Sequence, residues 1–219
     1  TEVQMTKFQN TIIRIPFIGK VILVTYRAKT ALGYFVGPLS NLIKWLFWSK
    51  EITNYSYDIE ENNKKYLSSL IADILNVEFD TIMTYIREIE KDTELKRHIE
   101  DVTANSSLSF LADKEVQYGR RVGWYAFARA LKPNIIIETG VDKGLGACVL
   151  AAALKRNKEE GYEGKYFGTD NDITAGYLFS GDYADYGSIL YGDSIESLMK
   201  FDGKIDLFIN DSDHSADYE

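Results

Sequence analysis

Two carboxylates and three glycines separate an apolar run from an alanine-rich run in "NIIIETGVDKGLGAC", residues 134–148. Glycines at such a junction let the backbone turn sharply and come close to a ligand that a Cβ would exclude. A dinucleotide fingerprint requires Gly-x-Gly-x-x-Gly, and counted from Gly140 this chain offers Asp142 and Leu145 at the other two places. Asp142 would set an anion where a pyrophosphate must lie. S-adenosylmethionine makes a different demand: its sulfonium is positive and its amino-acid end zwitterionic, so a carboxylate in the loop is tolerable or helpful. Three further polar clusters recur downstream. "GTDND" (168–172) delivers Asp170, an acid suited to two ribose hydroxyls; "YGDS" (191–194) delivers Asp193 and Ser194, acceptors for an adenine amino group or a plain helix N-cap; and "NDSDHS" (210–215) is the densest polar group in the chain.

These clusters need elements to carry them. After Pro133 short β-rich runs alternate with helical ones: strands at 134–138, 165–169, 188–191 and 204–209, helices at 145–158 and 194–200. This alternation predicts a Rossmann-like, doubly wound parallel sheet of the α/β class, with ligands at the carboxyl ends of its strands. Upstream, apolar residues recur at helical spacing between Glu60 and Asn105, and Gln117 to Leu131 reads as one more helix ended by Lys132 and Pro133. The α-helical N-terminal region thus precedes the sheet.

Taken together, "IIETGVDKGLG", "GTD", "YGDS" and "DLFINDSDHS" resemble motifs I to IV of class I S-adenosylmethionine-dependent methyltransferases, in particular the small-molecule and sugar O-methyltransferases. The resemblance covers 117–219. It implies S-adenosylmethionine as cofactor, with Glu138, Thr139, Gly140 and Gly144 at its methionine end, Asp170 at the ribose, and Asp193 with Ser194 on the adenine side. In the metal-dependent branch, whose Glu-x-Gly-Val-x-x-Gly-x-Ser pattern tolerates Asp142, the acid matching Asp211 binds a divalent cation such as Mg²⁺ that acidifies the acceptor hydroxyl. Asp211 and His214 are then the catalytic candidates, His214 as an alternative general base. The family sheet has seven strands, so the resemblance also implies that this sheet is C-terminally incomplete and that the sequence is a fragment. The expected reaction is O-methylation of a sugar or small hydroxylated molecule. A nicotinamide-dependent oxidoreductase and a non-catalytic binding or scaffold protein are the alternatives.

The chain has 219 residues, a net charge of −8 and one cysteine. A single Cys148 forms no internal disulfide, which favours a reducing, cytoplasmic setting, and more as packing than as chemistry. The charge is uneven: residues 1–50 hold seven basic residues and one acid, leaving the remainder strongly acidic. An acidic body argues against nucleic acid as a partner. Residues 1–50 read as a basic arm of one or two amphipathic helices, broken near Pro16 and at Gly37-Pro38. Their expected role is contact with a membrane surface, through Trp45, Phe47 and Trp48, or packing on the chain's own domain or on a second copy in a homo-oligomer. The expected organisation is the arm, a helical region at 51–116, and the cofactor-binding part at 117–219.

Overall fold

The computed structural model describes residues 15–51, 57–113 and 115–212. The chain divides into two compact units, Thr1–Ser49 and Lys50–Glu219. The described part of the first unit is one helix, α1 (Pro16–Trp48). It starts at Pro16, as a proline at a helix start should, but the break expected at Gly37-Pro38 does not occur. The helix runs through Pro38. An interior proline removes one donor, here the partner of the Tyr34 carbonyl, at a local cost of about 3 kcal/mol, and the flanking turns keep their own hydrogen bonds.

The second unit begins with three helices, α2 (Glu61–Leu75), α3 (Phe79–Glu90) and α4 (Thr93–Asn105). Each is amphipathic. Ile82, Met83, Ile86 and Ile89 put one face of α3 in the core, and Leu95 and Ile99 do the same for α4. The N-terminus of α4 is fixed by Asp92, whose carboxylate accepts from the Leu95 N–H at 2.9 Å. Helix α5 spans Arg121–Leu131. It is shorter than the 117–131 expected because Gly119 sits at φ +54°, outside helical geometry, so residues 117–120 form an irregular segment instead.

A four-stranded parallel sheet follows, built from β1 (Ile135–Thr139), β2 (Lys165–Asp170), β3 (Gly187–Tyr191) and β4 (Leu207–Asn210) in the order β3-β2-β1-β4. The connections run through α6 (Leu145–Glu159) and α7 (Ser194–Lys200). The α/β, Rossmann-like class expected from the alternation is what the chain forms. Strand β1 lies between β2 and β4, with Ile136 opposite both Tyr166 and Leu207. The winding therefore reverses between β1 and β4, and such a switch point opens a crevice at the strand carboxyl ends. Strand β4 starts at Leu207, later than expected; just before it the Asp206 N–H donates to the Ile135 carbonyl at 3.1 Å and the Asp206 carboxylate accepts from the N–H groups of Asn134 and Ile135 at 2.9 and 3.2 Å.

Helix α6 is what brings the helices and sheet into one core. Its Ala147, Ala151, Ala152 and Ala153 are buried, and such small side chains let backbones approach closely. Arg129 of α5, 3% exposed, bridges three elements. It donates to Glu88 of α3 at 2.7 Å, to Asn157 of α6, and to Glu160 just beyond α6 at 2.5 Å. Its guanidinium also lies 4.7 Å from the Tyr85 ring centroid. The single thiol of Cys148 is buried and donates to the Leu178 carbonyl at 3.2 Å; burial pushes its pKa up, and it is packing, as its place on α6 suggested.

Candidate functional site

A cavity of about 470 Å³ opens at the carboxyl ends of β1, β2 and β4. That is the size range and the place of small-molecule sites in open α/β sheets. Its floor is the β1–α6 loop, Gly140 to Lys143, with Asp170 after β2 and Asp211 after β4. Its walls are residues 115–121, Ile99 and Thr103 of α4, and Tyr57.

Asp170 organises the loop. Its Oδ2 accepts from the Val141 and Asp142 N–H groups at 2.9 and 3.0 Å, and its Oδ1 accepts from Asp172 N–H at 2.8 Å. A carboxylate has about four acceptor positions, so about one remains for a ligand hydroxyl. The sequence suggests an acid free to take two ribose hydroxyls; the structure places it in the cavity with most of its capacity already spent on the loop.

Gly140, on the cavity floor, also holds two strand ends together. It sits at φ +79°, and a Cβ there would lie 2.5 Å from the Asp211 carbonyl oxygen and 2.8 Å from Ser212 Cα. Its lack of a side chain lets the ends of β1 and β4 touch. Gly140→Ala is expected to destabilise the second unit by about 2 kcal/mol, from left-handed strain plus the displaced β4 end. Thermal unfolding should show a midpoint lower by roughly 4–8 °C; an unchanged midpoint would mean the strand ends separate at no cost.

Glu138 and Thr139 do not line the cavity. Glu138 is fully buried and accepts from the Tyr166 hydroxyl at 2.5 Å. Burial pushes its pKa up to about 8, against the downward pull of that hydroxyl and of the Arg121 charge, which favours the neutral acid. It lies against Gly146, where a Cβ would be 2.2 Å from its Oε1. A side chain at that position would require Glu138 or Trp124 to move. Thr139 donates to Asn210 Oδ1 at 2.8 Å and accepts from the Ser212 hydroxyl at 3.2 Å, tying β1 to β4. Gly144, at φ +95°, caps α6 against the Gly176 backbone.

The adenine-side candidates also fall outside the cavity lining. Asp193 is exposed and caps α7, accepting from the Glu196 N–H at 2.9 Å, the bland reading of that residue. Ser194 is buried and its hydroxyl accepts from Thr169 at 2.7 Å. His214 lies outside the described residues.

Asp211 faces the cavity, but with company that its motif did not announce. It pairs with Arg120, which is itself largely exposed, and with Arg121 at 3.5 Å. Both guanidinium groups lie over Trp124, at 5.8 and 5.2 Å from its ring centroid. This donor set does not fit a divalent cation, since a carboxylate facing two guanidiniums meets positive charge where the metal would sit. Among the described residues no cluster of three metal-ligating side chains occurs. Arg120, Arg121, Gln117 and Tyr118 were missed as site residues because "QYGRR" scans as the start of a helix. Gly119 was the available signal that it is a turn. Lys143 is another cavity-lining cation, held by Glu51 and by the Leu111 carbonyl at 3.1 Å. Among the buried polar atoms of the lining, the Tyr118 hydroxyl and Arg121 Nε find no hydrogen-bond partner within the described protein, which leaves each open to a water or a ligand.

The aromatic stretch after β2 is mostly packing. Tyr183 is buried against His98, ring centroids 4.7 Å apart, and Phe179 lies 5.2 Å from Tyr166; Tyr177 reaches the cavity.

An open parallel sheet with a carboxylate-held glycine loop at its switch point is where folds of this class place a ligand. Residues 137–219 match the family model described as a methyltransferase domain. Among solved structures, the SAH-bound methyltransferase PaMTH1 of Podospora anserina is similar, at 16% identity and a TM-score of 0.41, over 71% of this chain and 59% of that one. The chain thus spans less than two thirds of that protein's length. A comparison with curated protein sequences found no match.

Proposed function

We propose that the protein binds S-adenosylmethionine in this cavity and transfers its methyl group to an oxygen of a sugar or other small hydroxylated molecule. The observation that carries the cofactor assignment is the charge of the lining: Glu51, Asp113, Glu115, Asp142, Asp170 and Asp211 outnumber Arg120, Arg121 and Lys143. A cavity of that sign attracts a ligand of net positive charge and repels a pyrophosphate. This favours S-adenosylmethionine over a nicotinamide dinucleotide.

The bound cofactor supplies an electrophilic methyl on a sulfonium. The chain's own residues hold and align it. Asp170 offers its remaining acceptor position to the ribose, and Arg121, with an unpartnered Nε–H, is our assignment for the carboxylate. Alignment and exclusion of water are the main demands of an in-line displacement. Asp211 is the group we assign to the acceptor hydroxyl, which reaches it by displacing the more exposed guanidinium, Arg120. Mg²⁺ has no part in this reading, because Asp211 is already occupied by arginines. We place the reaction in the cytoplasm, a reading supported by the lone buried cysteine.

Calorimetric titration of the full chain tests this. S-adenosylmethionine and S-adenosylhomocysteine are expected to bind saturably and NADH to give no heat, with EDTA leaving the binding unchanged. Binding of NADH in their place would return the oxidoreductase to first position. Saturable S-adenosylmethionine binding with no methyl transfer from labelled cofactor to any hydroxylated acceptor would make the protein a non-catalytic binder.

A further inference from the structure

We propose that α1 is a surface-bound membrane helix that lies in the headgroup region of an anionic bilayer. Between Pro16 and Trp48 the sequence holds four cations, Lys20, Arg27, Lys29 and Lys44, and no acid. The remainder of the chain is strongly acidic, so it is repelled by anionic lipid and α1 is the segment with complementary charge.

The continuity of the helix through Pro38 gives this charge its geometry. Val21, Val24, Leu32, Phe35, Leu39 and Leu42 follow one another at three- and four-residue steps, or multiples of them, and so share one face along the helix; all six are exposed. A break at Pro38 would have split that face in two. Thr25, at its margin, hides its hydroxyl by donating to the Val21 carbonyl at 3.0 Å. Phe47 and Trp48, each 75% exposed, close the helix with rings of the kind that settle at the membrane–water boundary.

Lying flat is favoured over spanning. At 33 residues α1 is about 50 Å long, against a hydrocarbon layer of about 30 Å. Upright, it would draw Arg27 and Lys29 into hydrocarbon, whereas flat it lets every cation reach headgroups with its stem on the apolar side. Among the described residues no helix is long and apolar enough to cross a membrane.

The test is co-sedimentation of the full chain with vesicles of phosphatidylcholine alone and of phosphatidylcholine with phosphatidylglycerol. Binding to the anionic vesicles is expected, with much less to the neutral ones. Each cation replaced by glutamine should weaken partitioning roughly five-fold, so Arg27→Gln with Lys29→Gln should weaken it roughly 25-fold. Phe35→Gln with Leu39→Gln should abolish it. Unchanged helicity by circular dichroism and an unchanged unfolding midpoint would establish that each variant is folded. Sedimentation with neither vesicle, or equally with both, overturns the proposal. So does a dimer mass that the Phe35→Gln, Leu39→Gln variant loses while the wild type ignores vesicles, since the face would then cover a second copy of the chain. None of these readouts depends on the cofactor.

Discussion

Asp170→Ala is expected to weaken S-adenosylmethionine binding by about 100-fold or more while leaving the second unit folded. Two losses combine. A charge-assisted hydrogen bond to a ribose hydroxyl contributes roughly 1.5–3 kcal/mol, equivalent to about 10- to 150-fold in affinity. The same substitution removes the acceptor for the Val141, Asp142 and Asp172 N–H groups, so the loop that forms the cavity floor loses its tether. Asp170→Asn separates the two. An amide oxygen can still take the Val141 and Asp142 donors, but the amide nitrogen faces Asp172 N–H and offers nothing to it. That variant should bind with intermediate affinity. Titration calorimetry of all three proteins decides the matter: an Asp170→Ala affinity within three-fold of wild type, in a protein that melts normally, would remove Asp170 from the cofactor site and leave it a loop tether alone.

Arg129→Met carries the largest expected effect on stability. The guanidinium is buried, and its removal strands Asn157 Oδ1 inside the core and leaves Glu88 with the Tyr125 hydroxyl alone among its described partners. Breaking a buried ion pair by deleting one member costs about 3–5 kcal/mol. Glu88 and Glu160 are partly exposed, so water takes up part of that, and the lower end, about 3 kcal/mol, is the expectation. In a unit of this size the unfolding midpoint should fall by roughly 6–12 °C.

The acid limb of stability should change too. Hydrogen bonds from Arg129 and Lys132 hold Glu160 down at about 2, against an ordinary value of 4.5. A carboxylate whose folded value is depressed contributes stability above its unfolded value and loses it as pH falls toward the folded one. Wild type should therefore lose stability between about pH 4.5 and 2, and Arg129→Met should lose less over that window. A midpoint shift under 2 °C with an unaltered acid limb would show that water solvates this network well enough to make the arginine dispensable.

Much of the architecture was legible from local pattern. Apolar runs of strand length alternating with alanine-rich or amphipathic helices admit few arrangements other than a parallel sheet covered by helices, and helix α7 was placed to the residue. Two elements depart from their local pattern, each because a residue's preference meets a stronger competitor. Pro38 opposes a helix, yet its cost falls on one hydrogen bond and the rest of α1 outweighs it. "QYGRR" invites a helix, yet Gly119 takes a left-handed conformation and turns Arg120 and Arg121 toward Asp211. Asp193 was legible in both of its readings, and its side chain was found capping α7.

By itself the sequence determined the class of the fold, the order of its polar strand ends, the motifs that mark a methyltransferase domain, and the basic character of residues 1–50, because all of these follow from residue type and spacing along one element. Only the tertiary structure decided which polar residues meet. It brought Asp170 and Asp211 to one cavity with Arg120 and Arg121, and turned Glu138 inward, where burial raises its pKa. Long-range approach of that kind depends on where β1 and β4 touch, and on side chains such as the missing one at Gly140 that allow them to.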